Sequence, residues 1–320
     1  MNDSPTLTCA LPMYRAKNIG WLALESLCRQ EDIDFEWELI IIEEAEQSFG
    51  EEQIRAYEER LAKVGCITPI TYIKLPIWIP LAEKWYRMAQ QASNTLGFLL
   101  VAADCYSQPK RLVQTKQLLE DYEWIQSPVG PFYALRDDVL AWYDHSQISW
   151  HPCALNMAGR TELIKQLPMS NKRRGIDGWV YQELVKIVGR DLKVGKNTSK
   201  DYKRGVDIHG LNNISREARA YLMKGWSKLG GFWHDPTVNP QVHQNVSTNF
   251  EVQIEPTVLT YGRLFTSFNK GKSLSINPFR LSRDDEPQTI HDILPPDIVE
   301  RLLSLKEMAK VWKHSDKCVG

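Results

Sequence analysis

The chain has 320 residues and carries 39 lysines and arginines against 40 acids, a formal net charge of -1. That length allows one large domain or one domain with a substantial appendage, and the balanced charge supplies no global basic field that would attract nucleic acid. Six scattered cysteines (Cys9, Cys28, Cys66, Cys105, Cys153, Cys318) include no CxxC pair, which argues against a zinc site or a disulfide framework and fits a reducing compartment.

The opening residues, Met-Asn-Asp-Ser-Pro, lack the charged and apolar regions of a signal peptide. No apolar run approaches bilayer-spanning length, so a soluble, cytoplasmic protein is expected. Leu7 to Leu11 reads as a first strand that ends in the loop Leu11-Pro12-Met13-Tyr14-Arg15. A helix follows, with Ile19, Leu22, Ala23, Ser26 and Leu27 on one stripe. Trp37 to Ile42 is a β-rich run ending in Glu43-Glu44. Glu51 to Val64 reads as one charged helix stopped by Gly65. Ile67 to Leu75 is a third strand interrupted by Pro69, and Pro80 opens a helix through Trp85, Met88, Ala89 and Ala92. Phe98 to Ala103 is continuously apolar, as suits a strand covered on both faces. The order βαβαβαβ predicts an α/β fold with a mostly parallel central sheet flanked by helices.

Past Pro109 the spacing predicts a helix over Leu112 to Leu119, strands over Tyr122 to Gln126 and Pro131 to Leu135, and a short apolar run from Cys153 to Met157. Helices follow over Gly159 to Leu167 and from Arg174 through Val188, then a small strand over Leu192 to Val194. The stretch 195–213 is polar, basic and glycine-bearing, the texture of a lid or binding loop. Ser215 to Leu229 and Asp297 to Trp312 look helical, with β-like runs at Phe250 to Ile254 and Val258 to Tyr261. Residues 1–213 are expected to form the catalytic domain, and 214–320 a C-terminal extension.

The apolar run from Phe98 stops on Asp104. Open α/β sheets bind ligands just past the carboxyl ends of their strands, so this acid suits a cation that carries a phosphate. It would equally cap the following helix. The turn after the first strand has no GxGxxG, and the chain has no GxxxxGK[ST] loop, so phosphate binding must come from a metal and basic side chains.

Thr6-Leu7-Thr8-Cys9-Ala10-Leu11-Pro12-Met13-Tyr14-Arg15, then Leu24-Glu25-Ser26-Leu27-x-x-Gln30, then Phe35 to Glu43, stand in an order and spacing that resemble the GT-A-fold glycosyltransferases, family 2-like. The resemblance covers roughly residues 5–215 and is most specific in its N-terminal half. It implies a donor site built from Pro12, Tyr14, Arg15, Glu43, Lys84 and Asp104. Asp104 falls where the family places its DxD motif, with Ala102 in place of the first acid. The last acid is usually the metal ligand in that fold, which keeps Asp104 in the role and leaves the ribose contact open. Glu43-Glu44 replaces the usual paired aspartates. His209, in Asp207-Ile208-His209-Gly210, stands where the family often supplies a second metal ligand. One carboxylate, one imidazole, diphosphate oxygens and waters suit Mn²⁺ or Mg²⁺.

The expected activity is therefore metal-dependent transfer of a sugar from a nucleotide-diphospho sugar to an acceptor hydroxyl. Asp177, in Gly175-Ile176-Asp177-Gly178-Trp179, is the candidate base for an inverting reaction, and equally a helix cap. Trp85 and Tyr14 suit core packing as well as the nucleotide, and Lys172-Arg173-Arg174 suits a solvated face as well as a phosphate clamp. His151 is a candidate for the acceptor side. With no membrane segment a soluble acceptor is expected, a glycan, a small molecule or a protein; a modified DNA base joins them because the segment Val206 to Ser215 also resembles glycosyltransferase-like proteins of phages and large viruses, some of which glycosylate such bases. The alternative is a non-catalytic or nucleotidyltransferase-like nucleotide-binding protein.

Overall fold

The computed structural model describes residues 5–127, 129–134, 139–144, 155–172, 176–196, 213–214, 279–281 and 289–315. In chain order the elements are β1 (Leu7–Met13), α1 (Gly20–Cys28), β2 (Trp37–Glu44), α2 (Glu51–Arg55), α3 (Glu58–Ala62), β3 (Thr71–Leu75), α4 (Leu81–Gln91), β4 (Gly97–Leu100) and α5 (Arg111–Asp121). They continue with β5 (Trp124–Ser127), β6 (Val129–Ala134), β7 (Val139–Asp144), β8 (Leu155–Arg160), α6 (Thr161–Ile164), α7 (Ile176–Val188), β9 (Val194–Lys196), β10 (Asn213–Ile214), β11 (Phe279–Leu281) and α8 (Pro296–Ser315). The chain divides into two compact units, Met1–Gly130 with His145–Asn212, and Pro131–Asp144 with Asn213–Gly320.

The first unit is built on a seven-stranded sheet of order β3-β2-β1-β4-β8-β5-β9. β8 runs antiparallel to β4 and β5, and the other pairings are parallel. This is the expected α/β architecture with a mostly parallel central sheet. One face carries α4, α6 and α7, whose Trp85, Met88, Ile164, Val180 and Leu184 share a core with Ala10, Ile40, Phe98 and Trp124 of the sheet. Full burial of each large apolar side chain there contributes about 1.5–3 kcal/mol. α5 packs on β4, β5, β8 and β9. At Gly97 an added Cβ would lie 2.2 Å from a Leu119 methyl of α5 and 3.0 Å from one of Leu7, so a larger residue there would force Leu119 to move.

Four differences from the sequence reading in the first unit bear on how the sheet is built. The charged segment from Glu51 forms two short helices, and Arg55 and Glu58 beside the break both hold Ile70: Arg55 Nη1 donates to its carbonyl at 2.8 Å, and its N–H donates to Glu58 at 2.8 Å. Gly65 does stop α3, at φ 82°, where an added Cβ would meet the Phe35 carbonyl at 2.7 Å. Gly159 belongs to β8 rather than a helix, since residues up to Arg160 pair with β4 or β5, and only Thr161–Ile164 turns helical. The small strand near 192 sits slightly later, as β9.

The fourth difference shapes the ligand end of the sheet. β4 ends at Leu100, three residues before the apolar run does. Val101 N–H still donates to the Ala10 carbonyl at 2.9 Å. Alternate strand residues face the same neighbour, so Pro12, two beyond Ala10, would be the next to bond on that side. It has no N–H to give. The ladder stops there, and the chain from 101 onward turns away.

In the second unit a four-stranded sheet has the order β10-β6-β7-β11, with β10 parallel to β6 and β11 antiparallel to β7. The sequence reading had no strand over Val139–Asp144. Before α8, a single 3-10 turn at Ile290–Asp292 is closed by a capping box between Thr289 and Asp292. The segments read as helix at 215–229 and as β-like runs at 250–261 lie outside the described residues. Among the described residues no helix is long and apolar enough to cross a membrane.

Candidate functional site

Three parallel strands, β1, β2 and β4, deliver their carboxyl ends to one edge of the sheet. β1 and β2 run in register to the pair Met13–Glu43. The backbone of Lys17 then donates to the Gln47 carbonyl at 3.0 Å, joining the loops that leave the two strands.

Most of the residues expected at the donor gather at this edge. Pro12 is the penultimate residue of β1, and Tyr14 and Arg15 follow it. Arg15 has φ 49°, a left-handed conformation that costs a non-glycine residue roughly 1–2 kcal/mol. Its guanidinium lies 5.2 Å from the Tyr14 ring centre, and Nη2 pairs with Glu46 at 2.5 Å. Lys84 approaches the same ring, with Nζ at 5.6 Å.

Lys84 sits on the buried face of α4, which packs against β1 and β2. Its ammonium donates to the Met13 carbonyl at 2.7 Å and to Glu44 Oε2 at 2.5 Å. Both partners of this ion pair are buried, at 3% and 1% exposed, and Glu44 Oε1 has no hydrogen-bond partner among the described residues. Sequence reasoning placed Lys84 at the nucleotide and missed Glu44 as its partner. The available signal was a lysine on an otherwise apolar helix face, one strand away from two adjacent acids.

Glu43 is fully buried. Oε1 accepts the Phe49 N–H at 2.5 Å, and Oε2 accepts the Gly50 N–H and the Tyr72 hydroxyl, each at 3.1 Å. Burial pushes its carboxyl pKa up, against the pull of those three donors. Tyr72 is pushed up as well, by burial and then by the Glu43 charge. The carboxylate thus closes the loop between β2 and α2 onto the sheet.

Asp104 lies four residues past the end of β4 and is 6% exposed. The Cys105 thiol stands 3.7 Å from its Oδ1, and Cys105 N–H closes a turn onto the Ala102 carbonyl at 3.0 Å. The N-cap of α5 is Lys110, with no side-chain cap, so Asp104 does not cap that helix. Among the described residues no three His, Cys, Asp or Glu side chains gather as a metal cluster. One carboxylate from the protein fits Mg²⁺, which proteins hold through one or two carboxylates plus substrate phosphates and waters.

Asp177 is the second residue of α7, and its side chain lies outside the described residues. His209, Asp207, His151, Arg173 and Arg174 also lie outside them, while Lys172 is exposed. Trp85 belongs to the core.

No protein-family profile and no curated protein sequence matches this chain. Among solved structures, the chain is similar to S. aureus TarS 1-349, with 10% identity, 89% of this chain and 98% of that one covered, and a TM-score of 0.45. The same S. aureus protein in complex with UDP aligns at 11% identity over 89% and 99% of the two chains, with a TM-score of 0.43. Glucosyl-3-phosphoglycerate synthase from Mycobacterium tuberculosis, in complex with Mn²⁺, UDP and glucosyl-3-phosphoglycerate, aligns at 13% identity over 69% and 76%, with a TM-score of 0.43.

Proposed function

We propose that the chain is a glycosyltransferase that takes a nucleotide-diphospho sugar and passes the sugar to an acceptor hydroxyl, with residues 1–213 as its catalytic domain and 214–320 as an extension. The observation that carries this reading is Asp104: a buried acid four residues past the early end of β4. It stands at the sheet edge to which β1 delivers Tyr14 and Arg15. The sequence resemblance stated above points to the same place.

A divalent cation bound at Asp104 would act as a Lewis acid that neutralises the departing diphosphate. Asp104 contributes the hard oxygen ligand, and His209 an imidazole. Tyr14 and Arg15 line the donor: the ring offers a stacking face, and the guanidinium a partner for phosphate. Pro12, Glu43 and Lys84 act from behind. Pro12 ends the ladder, Glu43 holds the β2–α2 loop, and Lys84 holds the end of β1. Asp177 takes the acceptor proton in an inverting transfer.

The test is release of free nucleoside diphosphate from a panel of sugar nucleotides with Mn²⁺. Asp104→Ala should abolish release and metal-dependent UDP binding while the melting temperature stays unchanged. Asp177→Asn should lower kcat by roughly a hundredfold with donor binding intact. Normal transfer by Asp104→Ala, or indifference to EDTA, overturns the metal assignment.

One observation favours the second reading, a nucleotide-binding protein without transfer: Glu43 and Lys84 both direct their charged groups to the protein itself. Binding of UDP with no sugar release from any donor, including hydrolysis, would decide for it.

A further inference from the structure

Arg111 is completely buried. It is the first residue of α5, where the positive end of the helix dipole opposes a cation. Nη2 donates to the Leu100 carbonyl at 2.6 Å and Nη1 to the Ser107 hydroxyl at 2.8 Å. Its Nε has no hydrogen-bond partner, and no carboxylate pairs with it among the described residues. Burial pulls its pKa down to about 10, which leaves it charged at neutral pH. Burial, an adverse dipole and a missing counter-ion all work against a guanidinium here. Native proteins break local rules of this kind at functional or strained sites and offset the cost elsewhere.

What the guanidinium holds is specific. Leu100 is the last residue of β4 and Ser107 lies beyond Asp104, so the two bonds close the ends of the 101–107 segment onto one rigid fork. Gln30, two residues past the end of α1, fixes the far end of this loop where it enters α5. Its Nε2 donates to the Gln108 carbonyl at 2.8 Å and to the Ser26 carbonyl at 3.0 Å, and its Oε1 accepts the Leu112 N–H at 3.0 Å. The Glu31 N–H adds a bond to the Pro109 carbonyl at 2.7 Å.

We propose that Arg111 is a positioning residue which, with Gln30, pins both ends of the loop carrying Asp104 and so presets that carboxylate for its ligand. The last clause rests on the donor-site reading; the pinning of the loop does not. Two fork nitrogens span the loop, whereas a lysine at this position reaches one partner at a time.

The experiment is peptide-level hydrogen exchange on the full chain without ligand, followed by titration of UDP with Mn²⁺. In Arg111→Met, exchange across 101–110 should rise roughly ten- to hundredfold, because charge-assisted bonds are among the stronger ones. Peptides from β1, β2 and α4 should stay at the wild-type level. Arg111→Lys should fall between the two. Ser107→Ala, which spares the cation, should raise exchange in the same peptides by a smaller factor, and it keeps the test available if Arg111→Met does not fold. Unchanged exchange across 101–110, or a rise spread evenly over the first unit, overturns the proposal. Where the wild type binds UDP with Mn²⁺, the looser variants should bind it at least roughly tenfold more weakly. A wild type that binds no UDP defeats the donor reading alone, since the exchange result still decides the clamp.

Discussion

Two central strands of the sheet end in the same way and differ in one respect. β1 gives its last carbonyl, that of Met13, to Lys84 from α4. β4 gives its last carbonyl, that of Leu100, to Arg111 from α5. Each cation is buried and each comes from the helix packed behind its strand. At β1 the charge is neutralised by Glu44 at 2.5 Å. At β4 no carboxylate answers it among the described residues. The contrast separates two uses of a buried cation. A compensated pair is a closed unit whose integrity depends on both members. An uncompensated guanidinium has only dipoles to act on, and here those dipoles are the two ends of the loop bearing Asp104.

The largest expected effect breaks the closed unit. Lys84→Met leaves Glu44, 1% exposed, without its counter-charge, and should cost about 3–5 kcal/mol of unfolding free energy. Urea denaturation at pH 7 measures it. Adding Glu44→Gln to that background should return a large part of the loss, because the orphaned charge is gone. Failure of the second substitution to help would show that Lys84 stabilises through packing instead of pairing.

A smaller effect is expected at the other strand. Arg111→Met orphans the Leu100 carbonyl and the Ser107 hydroxyl, each worth about 1–3 kcal/mol when buried and unsatisfied. It also removes the cost of burying an unpaired cation, which offsets part of that. The net loss should therefore be less than for Lys84→Met in the same denaturation series. A larger loss at Arg111 would reverse the comparison.

The sheet and its helices were legible because the apolar runs of β1, β2 and β4 and the stripe of α1 are local patterns. What was not legible depends on partners far away in the chain. Nothing in Phe98 to Ala103 says that pairing stops at Leu100; that follows from Pro12, about ninety residues earlier, in the neighbouring strand. The bonds that tie Arg55 and Glu58 to Ile70 span twelve or more residues, and the strand character of Gly159 is set by pairing with β4 and β5. The site divides in the same manner. Sequence placed Pro12, Tyr14, Arg15, Glu43, Lys84 and Asp104 at one edge, because strand ends are local features. It could not tell which charges face a ligand and which close on the protein, since Lys84 meets Glu44 only through the packing of α4 on the sheet. Gln30 was noticed through its motif, yet its bonds to Gln108 and Leu112 appear only when the turn after α1 meets the start of α5.

The smallest expected effect sharpens the comparison by adding an unpaired buried charge of opposite sign. Among the described residues Glu43 has three donors and no cation bound to it, and burial raises its pKa above the ordinary 4.5. A carboxyl whose pKa is higher folded than unfolded adds stability below the unfolded value and loses it as pH rises through the folded one. Glu43→Gln should therefore flatten the dependence of melting temperature on pH upward from about 4.5, with Glu43 ionisation removed from the balance. The amide oxygen can keep the Phe49 N–H, and its NH₂ can donate to Tyr72, so only the Gly50 N–H, at a partly exposed residue, loses its acceptor. The net change at pH 7 should be about 1 kcal/mol or less. The same variant tests what Glu43 is for. If it holds the β2–α2 loop, UDP affinity should change by less than roughly threefold, whereas a direct contact to base or ribose should cost roughly tenfold or more, the scale of one lost charged hydrogen bond. A tenfold loss with an unaltered pH profile would move Glu43 from the supporting set behind the donor to the donor itself.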